Sequence, residues 1–150
     1  MKIALGADHA GFEMKERVKR ILESRGHEVQ DLGTHSTEST DYPSFAFRVA
    51  EAVRDGTVDR GVLVCDSGNG IAIAANRVEG VRATICMDPR HAELARRHND
   101  SNVLVLGAAF LAPADLTPTV DAWLTAPFDG GRHARRLGQI TEYERAHARR

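Results

Sequence analysis

Residues 61–76 read Gly-Val-Leu-Val-Cys-Asp-Ser-Gly-Asn-Gly-Ile-Ala-Ile-Ala-Ala-Asn. An apolar run carries Cys65 to its end. Ser67, Gly68, Asn69 and Gly70 then lead into an alanine-rich stretch. That order predicts a strand, a tight glycine loop and a helix start. Backbone amides at such a turn point outward, and the helix dipole adds partial positive charge. A thiol held there is expected to lose its proton more easily than a free cysteine. The segment offers a base or nucleophile beside a cradle for a phosphate or a developing enolate oxygen. Asp66 opposes the thiolate if its carboxylate turns inward. The plainer alternatives are a small buried hydrophobe for Cys65 and a turn requiring positive φ for the glycines.

Other polar residues fall where connections are expected. Asp8-His9 follows the first apolar run, suited to contacting a polar ligand or to capping the next helix. His98-Asn99-Asp100 follows a helical stretch; a histidine there can act as acid or base near neutral pH or complement a helix dipole. Arg132 and Arg136 share one helix face, a pair suited to a phosphate monoester. Gly68, Gly70 and Asp88 form a partial dinucleotide pattern, but Ile73 occupies the third glycine position. No metal site is expected: the seven histidines show no HExxH spacing, and Cys65 and Cys86 form no CxxC pair. A G-x-S-x-G elbow is also absent.

Five runs predict strands: Lys2–Gly6, Glu28–Leu32, Gly61–Cys65, Arg82–Cys86 and Val103–Leu106. Several are continuously apolar, as in a parallel sheet covered on both faces. Helical spacing predicts Phe12–Ser24, Ser44–Arg54, Pro89–Arg97, Ala114–Leu124 and a last helix from Arg132 to about Ala148. The alternation gives an α/β, three-layer Rossmann-like fold, a five-stranded parallel sheet with helices on both faces. Residues 1–150 then form a single domain. Ligands of such sheets bind beyond the carboxyl ends of the strands. That directs attention to Asp8-His9, the long polar stretch Gly33–Tyr42, Asp66–Gly70, Met87–Arg90 and Gly107–Ala109.

A formal net charge of −1 and 5% aromatic residues give no footprint for nucleic acid. No apolar run is long enough to cross a bilayer. Two cysteines make no disulfide framework. With no secretory leader visible, a cytoplasmic location is expected.

Several motifs, in order along nearly the whole chain, carry a resemblance. They include Gly6-Ala7-Asp8-His9-Ala10-Gly11-Phe12, Thr40-Asp41-Tyr42-Pro43, Val64-Cys65 with Ser67-Gly68-Asn69-Gly70, Ala74-Ala75-Asn76-Arg77, Arg97-His98-Asn99-Asp100 and Gly131-Arg132-His133. The chain resembles type B ribose-5-phosphate isomerases, the group that also holds galactose-6-phosphate isomerase subunits. The resemblance implies interconversion of an aldose phosphate and a ketose phosphate through a cis-enediolate, without cofactor or metal. Cys65 matches the family's thiol base; the branch that uses a glutamate instead would place it at Ile71. Ser67 and the amides of Gly68, Asn69 and Gly70 match the enediolate cradle. His98 with Asp41 matches the ring-opening group. Asp8, Tyr42 and Asn99 match sugar-hydroxyl contacts. His9, Arg132 and Arg136 match phosphate ligands, the arginines coming from a partner subunit. A homodimer or dimer of dimers with sites at the dimer interface is therefore implied.

Two positions depart from the family pattern. Gly107-Ala108-Ala109 carries alanine where many members have arginine, and Asp66 stands where glycine is usual. One cation fewer and one carboxylate more weaken phosphate affinity or reshape the pocket for another sugar phosphate, a tetrulose 4-phosphate or a hexose 6-phosphate. Two rival readings make other demands. A nucleotide-binding regulatory module would use Gly68, Gly70 and Asp88 and have no need of Cys65. An inactive subunit of a hetero-oligomer would lack the base or the acid, yet Cys65, Asp41 and His98 are all present.

Overall fold

Alternate residues of each central strand feed opposite faces of one sheet, and that alternation creates two cores. The computed structural model describes residues 1–149. Its strands are β1 (Lys2–Ala7), β2 (Glu28–Asp31), β3 (Arg60–Cys65), β4 (Ala83–Ile85) and β5 (Val103–Gly107). They are all parallel, in the order β2-β1-β3-β5-β4. The helices are α1 (Phe12–Ser24), α2 (Tyr42–Arg54), α3 (Asn69–Ala75), α4 (Pro89–Asn99), α5 (Leu116–Thr125) and α6 (Arg132–Ala146). Short 3-10 turns occupy His9–Gly11 and Pro113–Asp115.

Ile3, Leu5, Val62, Val64, Leu104 and Leu106 pack with residues of α1, α4 and α5 on one face. Ala4, Leu63, Cys65, Val103 and Val105 pack with α2 and α3 on the other. This is the expected three-layer fold. None of the described helices is long and apolar enough to cross a membrane.

The elements match the predicted set, with shifts at their ends. α1 has the predicted bounds. α2 begins two residues early because Pro43, which needs no amide partner, sits in its first turn. β4 is shorter than predicted: Arg82 lies before it, its amide donated to the Asn102 side chain, and Cys86 lies beyond it. α4 runs on through His98 and Asn99 and ends at Asp100, which adopts the left-handed conformation (φ 45°). α5 starts later than expected, after the Pro113–Asp115 turn, and α6 ends at Ala146.

The chain winds outward from β1 to β2, then returns past β1 to β3. The reversal opens a crevice at the carboxyl ends of β1 and β3, where this class of sheet binds its ligands. One rim of the crevice is anchored by a buried ion cluster. The Lys15 Nζ, on a side chain with no exposure, donates to Asp31 at 2.6 Å. Burial works against the Asp31 carboxylate, yet the Lys15 bond and the Gly33 amide hold it below its usual range. The start of the polar loop after β2 is thereby tied to α1.

Candidate active site

Cys65 is the last residue of β3, and its side chain is buried. The chain turns at Gly68, whose φ of +86° lies in the left-handed region that a side chain disfavours. The turn brings the Gly68 amide back to donate to Cys65 Sγ at 3.1 Å. The Asn69 amide donates to Ser67 Oγ at 3.2 Å. Tyr42, the first residue of α2, lies directly on Gly70. A Cβ at position 70 would sit 2.5 Å from the Tyr42 ring. Glycine there lets the tyrosine roof the loop.

Asp8 and His9 enter from the end of β1. Asp8 is buried and caps the 3-10 turn through the Gly11 amide at 3.1 Å. His9 is clasped to Thr40: its amide donates to Thr40 Oγ1, and the Thr40 amide donates to His9 Nδ1, both at 3.1 Å. Asp41 occupies the N-cap of α2, but its side chain makes no capping bond. One crevice thus collects Asp8, His9, Asp41, Tyr42, Cys65 and the Ser67–Gly70 loop.

The thiol does not behave as its place after a strand suggests. Burial pushes its pKa up. The amides of Gly68, Ile71 and Ser67 pull it down, and the Asp8 carboxylate raises it again. The net effect is a raised pKa, so the expectation of an easily ionised thiol is corrected. Desolvation of the charged form outweighs the amides of a short helix start. The opposing carboxylate is Asp8 rather than Asp66, which is exposed at the rim. Replacing Asp8 by asparagine keeps the cap oxygen and removes the charge. The Asp8→Asn variant is expected to be alkylated at Cys65 by iodoacetamide about threefold faster at neutral pH. Cys86, fully buried and with burial pushing it up to about 11, stays silent in that assay. An unchanged or slower rate would remove Asp8 from the account.

The remaining predicted site residues lie elsewhere. α4 leaves the carboxyl edge at Pro89 and returns toward the amino edge, a rise of about 16 Å at 1.5 Å per residue. There the carbonyl of Asn99 accepts from Arg82, the residue that precedes β4. His98 in the last turn of α4 therefore sits at the opposite edge from Cys65, and Asp41 does not meet it within one chain. His98 instead stacks on His133, ring centroids 4.2 Å apart and planes 7° from parallel. Asp129 lies beside both rings and accepts from Arg97 Nε at 3.1 Å. Arg132 and Arg136 open α6 at the same place. The one-chain crevice is acidic, with Asp8 acting on the thiol and Asp41 and Asp66 exposed at the rim. The second cluster is basic.

Sequence spacing hides this second cluster, because His98 and Asp129-His133 come from separate segments. For that reason the motifs that contain Arg97 and His133 give neither residue a role. The ligand atoms of His98, Asp129 and His133 lie within 4.8 Å of one another. The cluster is ill suited to a cation. Parallel stacked rings aim their lone pairs along separate planes, Arg97 already occupies Asp129, and arginines surround it. Burial, then His98, Arg132 and Arg136, hold the His133 pKa below its usual value. Such a cluster suits an anion. Asp88, part of the dinucleotide pattern, spends its carboxylate capping α4 through the His91 amide at 2.7 Å.

The fold and the crevice define an α/β enzyme with a thiol at the switch point of a parallel sheet. A family model described as Ribose/Galactose Isomerase matches residues 3–140. Ribose-5-phosphate isomerase B of Escherichia coli is 49% identical over 143 residues, covering 95% of this chain and 96% of that protein. The structure of Clostridium thermocellum ribose-5-phosphate isomerase B superposes with a TM-score of 0.96 at 47% identity, covering 99% of this chain and 100% of that one. Ribose-5-phosphate isomerase B of Mycoplasma genitalium, solved with bound ribulose-5-phosphate, gives 0.92 at 38% identity and covers 96% of each chain. The chain belongs to the ribose/galactose isomerase family and is an aldose–ketose isomerase.

Proposed function

We propose that this enzyme interconverts ribose 5-phosphate and ribulose 5-phosphate through a cis-enediolate, with Cys65 as the base. The observation that carries the reading is the Cys65 crevice: a thiol that accepts the Gly68 amide and adjoins a glycine loop roofed by Tyr42. The thiolate takes the proton from C2 of the open-chain aldose, and the electron pair passes to the carbonyl oxygen at C1. The developing oxyanion faces the Ser67 hydroxyl and the Gly70 amide. That amide lies in the first turn of α3, where it has no partner within the helix. A proton moves from O2 to O1, and the Cys65 thiol returns its proton to C1, closing the balance.

The site is completed by a second copy of the chain in a homodimer. The charge of the two clusters supports this. The Cys65 crevice is rich in carboxylates and cannot hold a phosphate dianion by itself. His98, Asn99, Arg132 and Arg136 form a basic patch at the far edge. A symmetric dimer sets the basic patch of one chain over the crevice of the other. His98, with Asp41 across the interface, then opens the sugar ring. Asn99, Asp8 and Tyr42 hold hydroxyls, and His9 with the two arginines holds the phosphate. The arriving cations also oppose Asp8 and favour the thiolate, so the base becomes competent when the site is complete. A groove of about 740 Å³ beside β4, its apolar floor made by Ala72, Ile73, Ala83 and Ile85 and its polar edge by Asn69, Asn76 and Arg77, is a surface such a copy covers. The two unpaired thiols suit the reducing cytoplasm.

Substrate choice is set at the rim, where the two departures meet. The Ala109 amide donates to the Asp66 carbonyl at 2.9 Å, so both side chains stand at the ends of β3 and β5. Assay on four-, five- and six-carbon sugar phosphates tests the reading. Highest kcat/KM on ribose 5-phosphate is expected. A preference for a tetrulose 4-phosphate or hexose 6-phosphate would keep the chemistry and make Asp66 and Ala109 specificity residues. Nucleotide binding without turnover would contradict it.

A further inference from the structure

We infer that Thr40 is a positioning residue for substrate binding: its reciprocal pair of hydrogen bonds with His9 fixes the imidazole so that Nε2–H faces the crevice. The inference deepens the reading above and rests on His9 as a phosphate contact.

The argument turns on what a backbone amide can do. The Thr40 amide lies 3.1 Å from His9 Nδ1, and an amide nitrogen only donates. Nδ1 is therefore the acceptor, and the hydrogen of the neutral ring sits on Nε2. The second bond runs the other way, from the His9 amide to Thr40 Oγ1, also at 3.1 Å. Together they close a small ring that sets both the backbone and the side chain of His9 against the loop after β2. A donor turned toward the crevice suits a phosphate oxygen. The same clasp pins the residue just before Asp41 and Tyr42. It is formed by residues 31 positions apart, both half-buried.

The loop reaches this clasp from an anchored start. Gly33 donates to Asp31, and the Thr34 amide donates to the Ala7 carbonyl at the end of β1. Between Thr34 and Thr40 the loop is exposed. Thr40 is thus where the free part of the loop is tied back to the site.

Thr40→Val keeps the branched shape and the amide but deletes the acceptor for the His9 amide. Its KM for ribose 5-phosphate and its inhibition constant for inorganic phosphate are expected to rise about five- to tenfold, with a smaller change in kcat. Thr40→Ser, which restores the hydroxyl, is expected to return both to within about twofold of the parent. The tautomer is read independently from the ¹⁵N shifts of the His9 ring in the unsubstituted protein, so the proposal stays testable even if Thr40→Val folds poorly. An Nε2–H pattern supports the clasp, and an Nδ1–H pattern overturns it. If His9→Ala raises KM but Thr40→Val does not, the positioning role fails while the phosphate contact stands. If neither variant changes KM or phosphate inhibition, the phosphate reading of His9 fails and takes the proposal with it.

Discussion

Cys65→Ala is expected to lower kcat for ribose 5-phosphate by about 10³- to 10⁴-fold, the scale of a positioned acid–base group. The fold should survive. The side chain is small, and losing a buried Sγ removes little apolar area, costing about 1 kcal/mol. Circular dichroism and thermal melting therefore stay close to the parent while turnover disappears. Cys65→Ser should be nearly as inactive, because a hydroxyl is a far weaker acid than a thiol and supplies no usable anion. That comparison separates the acidity of the group from its shape. Burial and Asp8 raise the thiol pKa within one chain, and the partner's cations bring it down in the completed site. The kcat/KM of the parent should then climb with pH, by about tenfold per unit below the thiol pKa, until another group titrates. Activity within tenfold of the parent in Cys65→Ala would remove the thiol from the mechanism.

Gly70→Ala is expected to cost about 10²- to 10³-fold in kcat, the price of misplacing one donor at a developing oxyanion. The added methyl group would lie 2.5 Å from Cζ of Tyr42 and 2.8 Å from its hydroxyl oxygen. The obstacle is the far end of the partly exposed Tyr42 side chain, which can give way only by swinging off the loop. Either Tyr42 leaves the loop or the first turn of α3 shifts, and both disturb the Gly70 amide. Overpacking of this kind costs about 1–3 kcal/mol of stability, visible as a modest fall in melting temperature. Tyr42→Ala relieves the clash, so the double variant should recover part of the kcat lost in Gly70→Ala. No recovery would show that the glycine acts through something other than Tyr42.

Much of this architecture is readable along the chain. Continuous apolar runs such as Val103–Leu106 disclose buried parallel strands, because both faces need covering. α1 has the bounds that its helical spacing predicts. The loop after β3 is legible because Cys65, Ser67, Gly68 and Gly70 fall within six consecutive residues. What escapes the sequence depends on distant neighbours. The acidity of Cys65 is set by burial and by Asp8, a residue of another strand end, so the local pattern of thiol and amides points the wrong way. The clasp of His9 and Thr40 joins the end of one strand to the far end of a polar loop. The stack of His98 on His133 joins two helices, and no spacing rule anticipates it. His98 and Asp41 lie at opposite edges of the sheet within one chain for a geometric reason: a helix that starts at the carboxyl edge must deliver its last turn to the other edge. A list of motif residues does not say which side of the sheet each occupies.

Mixing Cys65→Ala protein with His98→Asn protein tests most directly whether two chains share each site. Each variant alone is expected to be inactive. Subunit exchange after mild dissociation places both kinds of chain in one dimer. If Cys65 of one chain works with His98 of the other, each mixed dimer holds one site built wholly from unaltered residues. Random mixing at equal amounts should then restore about a quarter of the parent activity, as the statistics of a symmetric dimer require. If Cys65 and His98 of the same chain cooperate, every site in the mixture keeps a defect, and activity stays at the level of the separate variants despite verified exchange.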